Sequence, residues 1–392
     1  MSRLCNASRG RGAVRRSSTA CRRRPARTLR GRSPRREAGY SLVELMVSTA
    51  IMMVVTGAIF ALVNPAQGTS RVQPEFADLQ QRMRVGVDTL ARDLLMAGAG
   101  PYQGATTGSL TQFFAPIVPR RLGRTNPDPP TMYRSDSISL VYVPNTASQT
   151  TIRDPMPNES AELKVNPQPN CPQGDPLCGF REGMSLMIFD PAGNWDAFVI
   201  TNVQEQALHI QHRGQRFQTS YQPGAVVVEA SWRNYYWDST QLQLRYYDGI
   251  VTDVPVLDNV VGLRFTYFGD PNPPTSPRPP IGQSNCLFDS SGNPRLPVLS
   301  STSGSLIQLD PAILVDGLPQ WCGAGTNQFD PDLYRIRKVR VTLRTQAGDP
   351  SLRGSDPRFF ARPGVGRGSV GGFVPDYELQ FEVTPRNLNL VR

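Results

Sequence analysis

Chemistry needs a nucleophile, a base or a set of ligands, and this 392-residue chain offers few of them. Its two histidines, His209 and His212, fall together in an apparent strand, so any Ser-His-Asp or Cys-His arrangement would have to use one of them. No Gly-x-Ser-x-Gly, P-loop or dinucleotide fingerprint accompanies them. Gly364-Val365-Gly366-Arg367-Gly368 is glycine-rich, but it follows Arg-Pro without a strand-turn-helix context and reads as a flexible loop. The acids Asp330-Pro331-Asp332 and those from Asp349 to Asp356 match no defined calcium loop and read as solvated turn acids. No catalytic residue, metal site or cofactor follows from these patterns, and the chain reads as a non-enzyme.

Cysteines carry a second kind of chemistry. Cys5 and Cys21 lie in an arginine-rich start, leaving Cys171, Cys178, Cys286 and Cys322. Four cysteines allow three connectivities. Pairing Cys171 with Cys178 and Cys286 with Cys322 is favoured, because each pair brackets one Pro/Gly-rich loop. Zinc is the rival, but C-x6-C is not a usual knuckle spacing. The aromatic residues Trp232, Tyr235, Tyr236, Trp237, Tyr246 and Tyr247 read as core or cross-strand pairs, with an exposed subset available for a binding surface.

The charge is divided unevenly. Residues 1–39 hold 13 arginines and one acid, a net of +12 against +10 for the whole chain, which leaves −2 after Gly39. Once that segment is removed, bulk charge gives no reason to expect a nucleic-acid partner. Leu45 to Val63 is a charge-free apolar run of 19 residues, roughly 28 Å of helix and long enough to cross a bilayer. Arginines precede it and the next basic residue is Arg71, so the positive-inside rule puts the N-terminus in the cytoplasm and the bulk outside. That compartment is oxidising, which suits disulfides. An ordinary signal peptide would have a shorter apolar stretch and a small-residue cleavage site after Val63. Glu44, at the entry to the run, is costly for such a signal.

Pro65 and Pro74 should kink or interrupt the helix beyond the span. Phe76, Leu79, Met83, Val87, Leu90, Leu94 and Ala97 then follow three/four spacing, one amphipathic face that ends at Gly98 and Gly100-Pro101. From about residue 102 the period falls to two. Strands are expected at 137–143, 184–189, 197–203, 207–211, 225–230, 234–237, 241–247, 260–268, 335–345 and 377–383, in an antiparallel sheet with one wet face. The connections at about 101–135, 144–182, 269–332 and 346–376 are long enough to be functional or mobile. No clean linker or internal repeat is visible, so the expected architecture is one elaborated α+β domain.

Three segments carry a family resemblance. Gly39-Tyr40-Ser41-Leu42-Val43-Glu44-Leu45-Met46-Val47, behind its basic leader, resembles the prepilin signal of type IV pilins and type II secretion pseudopilins. Leu90-Ala91-Arg92-Asp93-Leu94-Leu95-Met96-Ala97-Gly98 and the ending Val383-Thr384-Pro385-Arg386-Asn387-Leu388 resemble the PilW-like minor pilins. The resemblance implies a pilin-like α+β fold: a cleaved leader (1–39), a transmembrane and filament-core helix (40–63), an amphipathic helix (64–100) and a β-rich periplasmic head (101–392). It also implies cleavage between Gly39 and Tyr40 by prepilin peptidase, N-methylation of Tyr40, and pairing of Glu44 with the new amine of a neighbour during assembly. Partners would be the peptidase, other minor and major pilins, the inner-membrane assembly platform and the inner membrane. The location would be the inner membrane and then the pilus or cell surface. A J-like pseudopilin or a tethered adhesin are the alternatives.

Overall fold

The structure is a computed structural model that describes residues 39–100, 109–144, 148–168, 171–301, 304–365 and 372–389. The basic leader, with Cys5 and Cys21, lies outside the described residues, as do Gly366, Arg367 and Gly368 of the glycine-rich loop. The chain divides into two compact units, Met1–Phe60 and Ala61–Arg392.

One helix, α1 (Leu42–Met96), opens the fold. Its segment Leu42–Val63 is long and apolar enough to cross a membrane, and its side chains are exposed. Contrary to the sequence expectation, α1 is not interrupted at Pro65 or Pro74. Each proline deletes an amide donor at about 3 kcal/mol, a local loss that the hydrogen-bonded turns on both sides outweigh.

In the second unit, the stripe Leu79, Met83, Leu90, Leu94 and Ala97 is buried, while Phe76 stays 40% exposed. The strands follow as β1 (Ile117–Val118), β2 (Ser137–Tyr142), β3 (Gln149–Thr151), β4 (Leu163–Lys164), β5 (Ser185–Phe189), β6 (Trp195–Val199), β7 (Asn202–Gln204) and β8 (His209–Gln211). After them come β9 (Val226–Glu229), β10 (Ser231–Asp238), β11 (Gln243–Tyr247), β12 (Asp253–Asp258), β13 (Val260–Gly269), β14 (Ile307–Gln308), β15 (Ile336–Thr345) and β16 (Tyr377–Val383). The fold is α+β and pilin-like, one long apolar N-terminal helix followed by antiparallel sheets.

The described residues form four sheets rather than one, in the orders β1-β2-β10-β11-β12, β14-β13-β15-β16, β3-β9-β5-β6 and β4-β8-β7. Alternation along β13 and β15 turns Leu263, Phe265, Tyr267, Val339, Val341 and Leu343 inward to a core that also holds Met83, Leu90 and Leu94 of α1. β2 and β10 pair directly, so the chain between them is an insertion. That insertion builds a second core around Ile152, Leu163, Leu186, Ile188, Phe198, Ile210, Tyr221 and Val227. β5, in the β3-β9-β5-β6 sheet, is buried on both faces: Met187 and Phe189 enter the first core, Leu186 and Ile188 the second. Such a strand reads as an unbroken apolar run, and a two-core head therefore looked like a single sheet. The expected strand 197–203 is two strands, β6 and β7, each in a different sheet.

The long connection 269–332 is packed, not loose. Leu287, Phe288, Leu296, Leu309, Leu314 and Phe329 from it are all buried in the first core. Prolines leave carbonyls in such a loop short of amide donors. Two buried arginines supply them. Arg120 donates to the carbonyls of Pro130 (2.8 Å) and Gln328 (2.5 Å), and Arg335 to those of Pro271 (2.9 Å) and Pro297 (2.6 Å).

Candidate functional site

Gly39 and Tyr40 lie outside any regular element and are exposed just ahead of α1, with Tyr40 at 87% exposure. A Cβ built on Gly39 meets nothing within 4 Å. Ser41 begins the helix, its carbonyl accepting from the Leu45 amide at 3.1 Å. The Glu44 amide donates to Ser41 Oγ (3.1 Å) and the Ser41 amide donates to Glu44 Oε2 (3.3 Å). This reciprocal pair is a capping box, and it satisfies two amides that a helix start leaves bare. The negative charge also suits the positive end of the helix dipole. Ser-x-x-Glu is legible as a capping signal, though reading Glu44 as an intersubunit partner alone passes over it.

At its other end α1 meets the head through Leu90–Gly98. Asp93 accepts from Tyr235 Oη (2.5 Å) on β10 and Tyr142 Oη (3.3 Å) on β2, with Arg233 Nε at 3.7 Å. Burial first, and then the Asp93 carboxylate, push the Tyr235 phenol well above its ordinary range. Gly98 has φ +79°, the left-handed conformation that ends helices, and its amide donates to the Val141 carbonyl at 3.0 Å. A Cβ there would sit 2.8 Å from Leu388 Cδ2. Asn387 Nδ2 donates to the Met96 carbonyl at 3.4 Å. The helix end and the Arg-Asn-Leu tail, two separate segments in the sequence, therefore touch.

The disulfides join Cys171 to Cys178 and Cys286 to Cys322, with Cα atoms 5.6 and 5.1 Å apart. The second ties the 269–332 connection across the first core, where both sulfurs are buried.

No catalytic grouping forms around the histidines among the described residues. His209 Nδ1 lies 2.9 Å from Glu162, and the buried His212 ring is stacked on Phe217 with its nitrogens against the carbonyls of Gln215 and Ala161. Trp232, Tyr235 and Tyr247 are core; Tyr236, Trp237 and Tyr246 are half-buried and hydrogen-bonded.

Asp330 and Asp332 are not solvated turn acids. Asp330 is fully buried, accepting from the amides of Gly317 (2.7 Å) and Asp332 (2.8 Å), and Asp332 pairs with Arg335. Burial, against those hydrogen bonds, pushes the Asp330 carboxyl up to about 7. Asp316 brings a third carboxylate within 4.8 Å, but the two buried acids are already committed to amides and a guanidinium. Asp349 and Asp356 do cap exposed turns, at the amides of Ser351 and Arg358. Asp196, which drew no attention in the sequence, is likewise pushed up to about 7 by burial. It accepts from Tyr221 Oη, the Gln218 amide and Asn327 Nδ2.

Compared with known protein families, residues 34–60 match the family described as the prokaryotic N-terminal methylation motif. No curated protein and no solved structure matches the chain. The motif supports a prepilin-peptidase-processed pilin or pseudopilin that assembles with other pilins. With the one helix among the described residues that is long and apolar enough to cross a membrane, it also supports a single-pass, membrane-anchored protein.

Proposed function

We propose that this chain is a PilW-like minor pilin that takes part in initiating or capping a type IV pilus. The observation that carries the reading is the methylation-motif match over residues 34–60, which frames Gly39, Tyr40 and Glu44. Prepilin peptidase cuts after Gly39 and methylates the Tyr40 amine, and Glu44 meets that amine on a neighbouring subunit. The N-terminus faces the cytoplasm and the head the periplasm, until the assembly platform draws the helix into a filament. The meeting of Leu90–Gly98 with Asn387 and Leu388 supports the PilW-like branch, because both resembling segments then serve one junction. A head with two cores and a long packed loop suits a tip-proximal place better than repeated packing along a shaft.

Mass spectrometry of the mature N-terminus tests the class. An N-methyl-Tyr40 end is expected, and an end near residue 66 would overturn the reading. Since a side chain at Gly39 meets no atom within 4 Å, Gly39→Val should leave folding intact and block cleavage. Unchanged mass and unchanged piliation in that variant would leave the span as a plain anchor.

A further inference from the structure

Among the described residues β16 is an edge strand left open. It pairs with β15 from Tyr377 to Val383 in unbroken register, and among the described residues only β15 bonds the backbone of Glu378–Val383. The other sheet edges are closed or too short to extend. β1, β4 and β14 have two residues each, and β3 and β7 have three. β12 carries Pro255 opposite a register shift. The edge of β6 is taken by side chains: Gln215 accepts from the Val199 amide (2.9 Å) and donates to its carbonyl (2.8 Å), and Asn327 donates to the Trp195 carbonyl (2.9 Å). β16 alone is long, regular and free of proline, and folds usually avoid exposing such an edge.

Beside it the packing is incomplete. The inward residues Tyr377, Leu379 and Phe381 are only half-buried. A groove of about 660 Å³ separates β16 from α1, lined on the helix side by Met83, Val87 and Ala91 and by Gln80, Arg84 and Asp88 as well. The outward row is Glu378, Gln380 and Glu382, two acids flanking a neutral amide. Glu382 is held by Lys338 (2.7 Å) and Arg340 (2.6 Å). Glu378 has no partner among the described residues, because Arg344 across the ladder turns to Asp376 (3.0 Å).

We infer that the β16 edge receives an extended segment of a different pilin subunit, added as a fifth strand to this sheet. Its inward residues are apolar and fill the groove against α1, and its outward residues include a cation opposite Glu378. A second copy of this chain fits less well, since two-fold pairing about Gln380 sets Glu378 against Glu382 twice. This partner assignment rests on the filament-subunit reading above.

The test is photo-crosslinking of the full chain in assembling cells, with p-benzoylphenylalanine in place of Gln380. Mass spectrometry then reads both the adduct and the Tyr40 end. Expected is an adduct to another processed pilin through a peptide of alternating apolar and basic residues. Hydrogen exchange at 378–382 should slow in the assembled state, and Glu378→Lys should cut the adduct roughly tenfold. A methylated Tyr40 with no adduct, with an adduct only to a second copy of this chain, or with unprotected amides overturns the strand addition and leaves the pilin reading intact. An unprocessed N-terminus removes both.

Discussion

Ser41 and Glu44 exchange hydrogen bonds across the first turn of α1, so the carboxylate that caps the helix within the subunit is also the one proposed to pair with a neighbour's Tyr40 amine. The roles separate by substitution. Glu44→Ala removes both cap and charge, costing the helix start about 1 kcal/mol. Glu44→Gln keeps an acceptor for the Ser41 amide, since glutamine also completes a capping box, and removes only the charge. If charge pairing drives assembly, both variants are processed normally and both are missing from sheared filaments. Wild-type incorporation of Glu44→Gln would reduce Glu44 to a cap. The methylation motif around Gly39, Tyr40 and Glu44 is legible in the sequence because it is one contiguous stretch. Asp93 is not legible in the same way: its partners Tyr142 and Tyr235 lie 49 and 142 residues away, and no local pattern marks a long-range hydrogen bond.

Among the elements, the long connections depend on side chains buried beneath them. Arg335 is fully buried, pairs with Asp332, and holds the carbonyls of Pro271 and Pro297. Arg335→Met keeps much of the volume and leaves Asp332 and both carbonyls bare. It should destabilise the head by about 3–5 kcal/mol, as removal of one partner from a buried ion pair does. Denaturant unfolding of the detergent-solubilised protein measures it, and a loss below about 1 kcal/mol would mean that water replaces the guanidinium. The strands that alternate cleanly, such as β13, β15 and β16, were legible from period two alone. β12 was not, because Pro255 argues against a strand and its pairing with β11 is bulged. The 269–332 connection looked loose because its composition is that of a turn-rich loop. Its order comes from isolated apolar residues, a disulfide and two arginines, none of which repeats with a period.

Across the whole head, two carboxyls sit where parts of the fold are joined. Asp196 on β6 bonds Asn327, linking the inserted second core to the long connection, and Asp330 bonds Gly317 within that connection. Burial raises both to about 7 from 3.8 in the unfolded chain. Between about pH 4 and 7 the folded state therefore keeps protons that the unfolded state has released. Stability from these groups falls as pH rises through that window, by up to tenfold in the folding equilibrium per unit and per carboxyl, and is level above it. Acids held below their ordinary range by hydrogen bonds and cations, among them Asp289, Asp349, Asp356 and Glu382, act the other way. Their contribution is present above about pH 4 and is lost only on further acidification. The head should be most stable near pH 4–5, and its melting temperature should rise, not fall, on going from pH 7.5 to 5. Asp196→Asn and Asp330→Asn should each flatten that slope, because an amide does not titrate. A melting temperature that is constant from pH 5 to 7.5, or a slope unchanged in both variants, would show that the joins do not hold their protons.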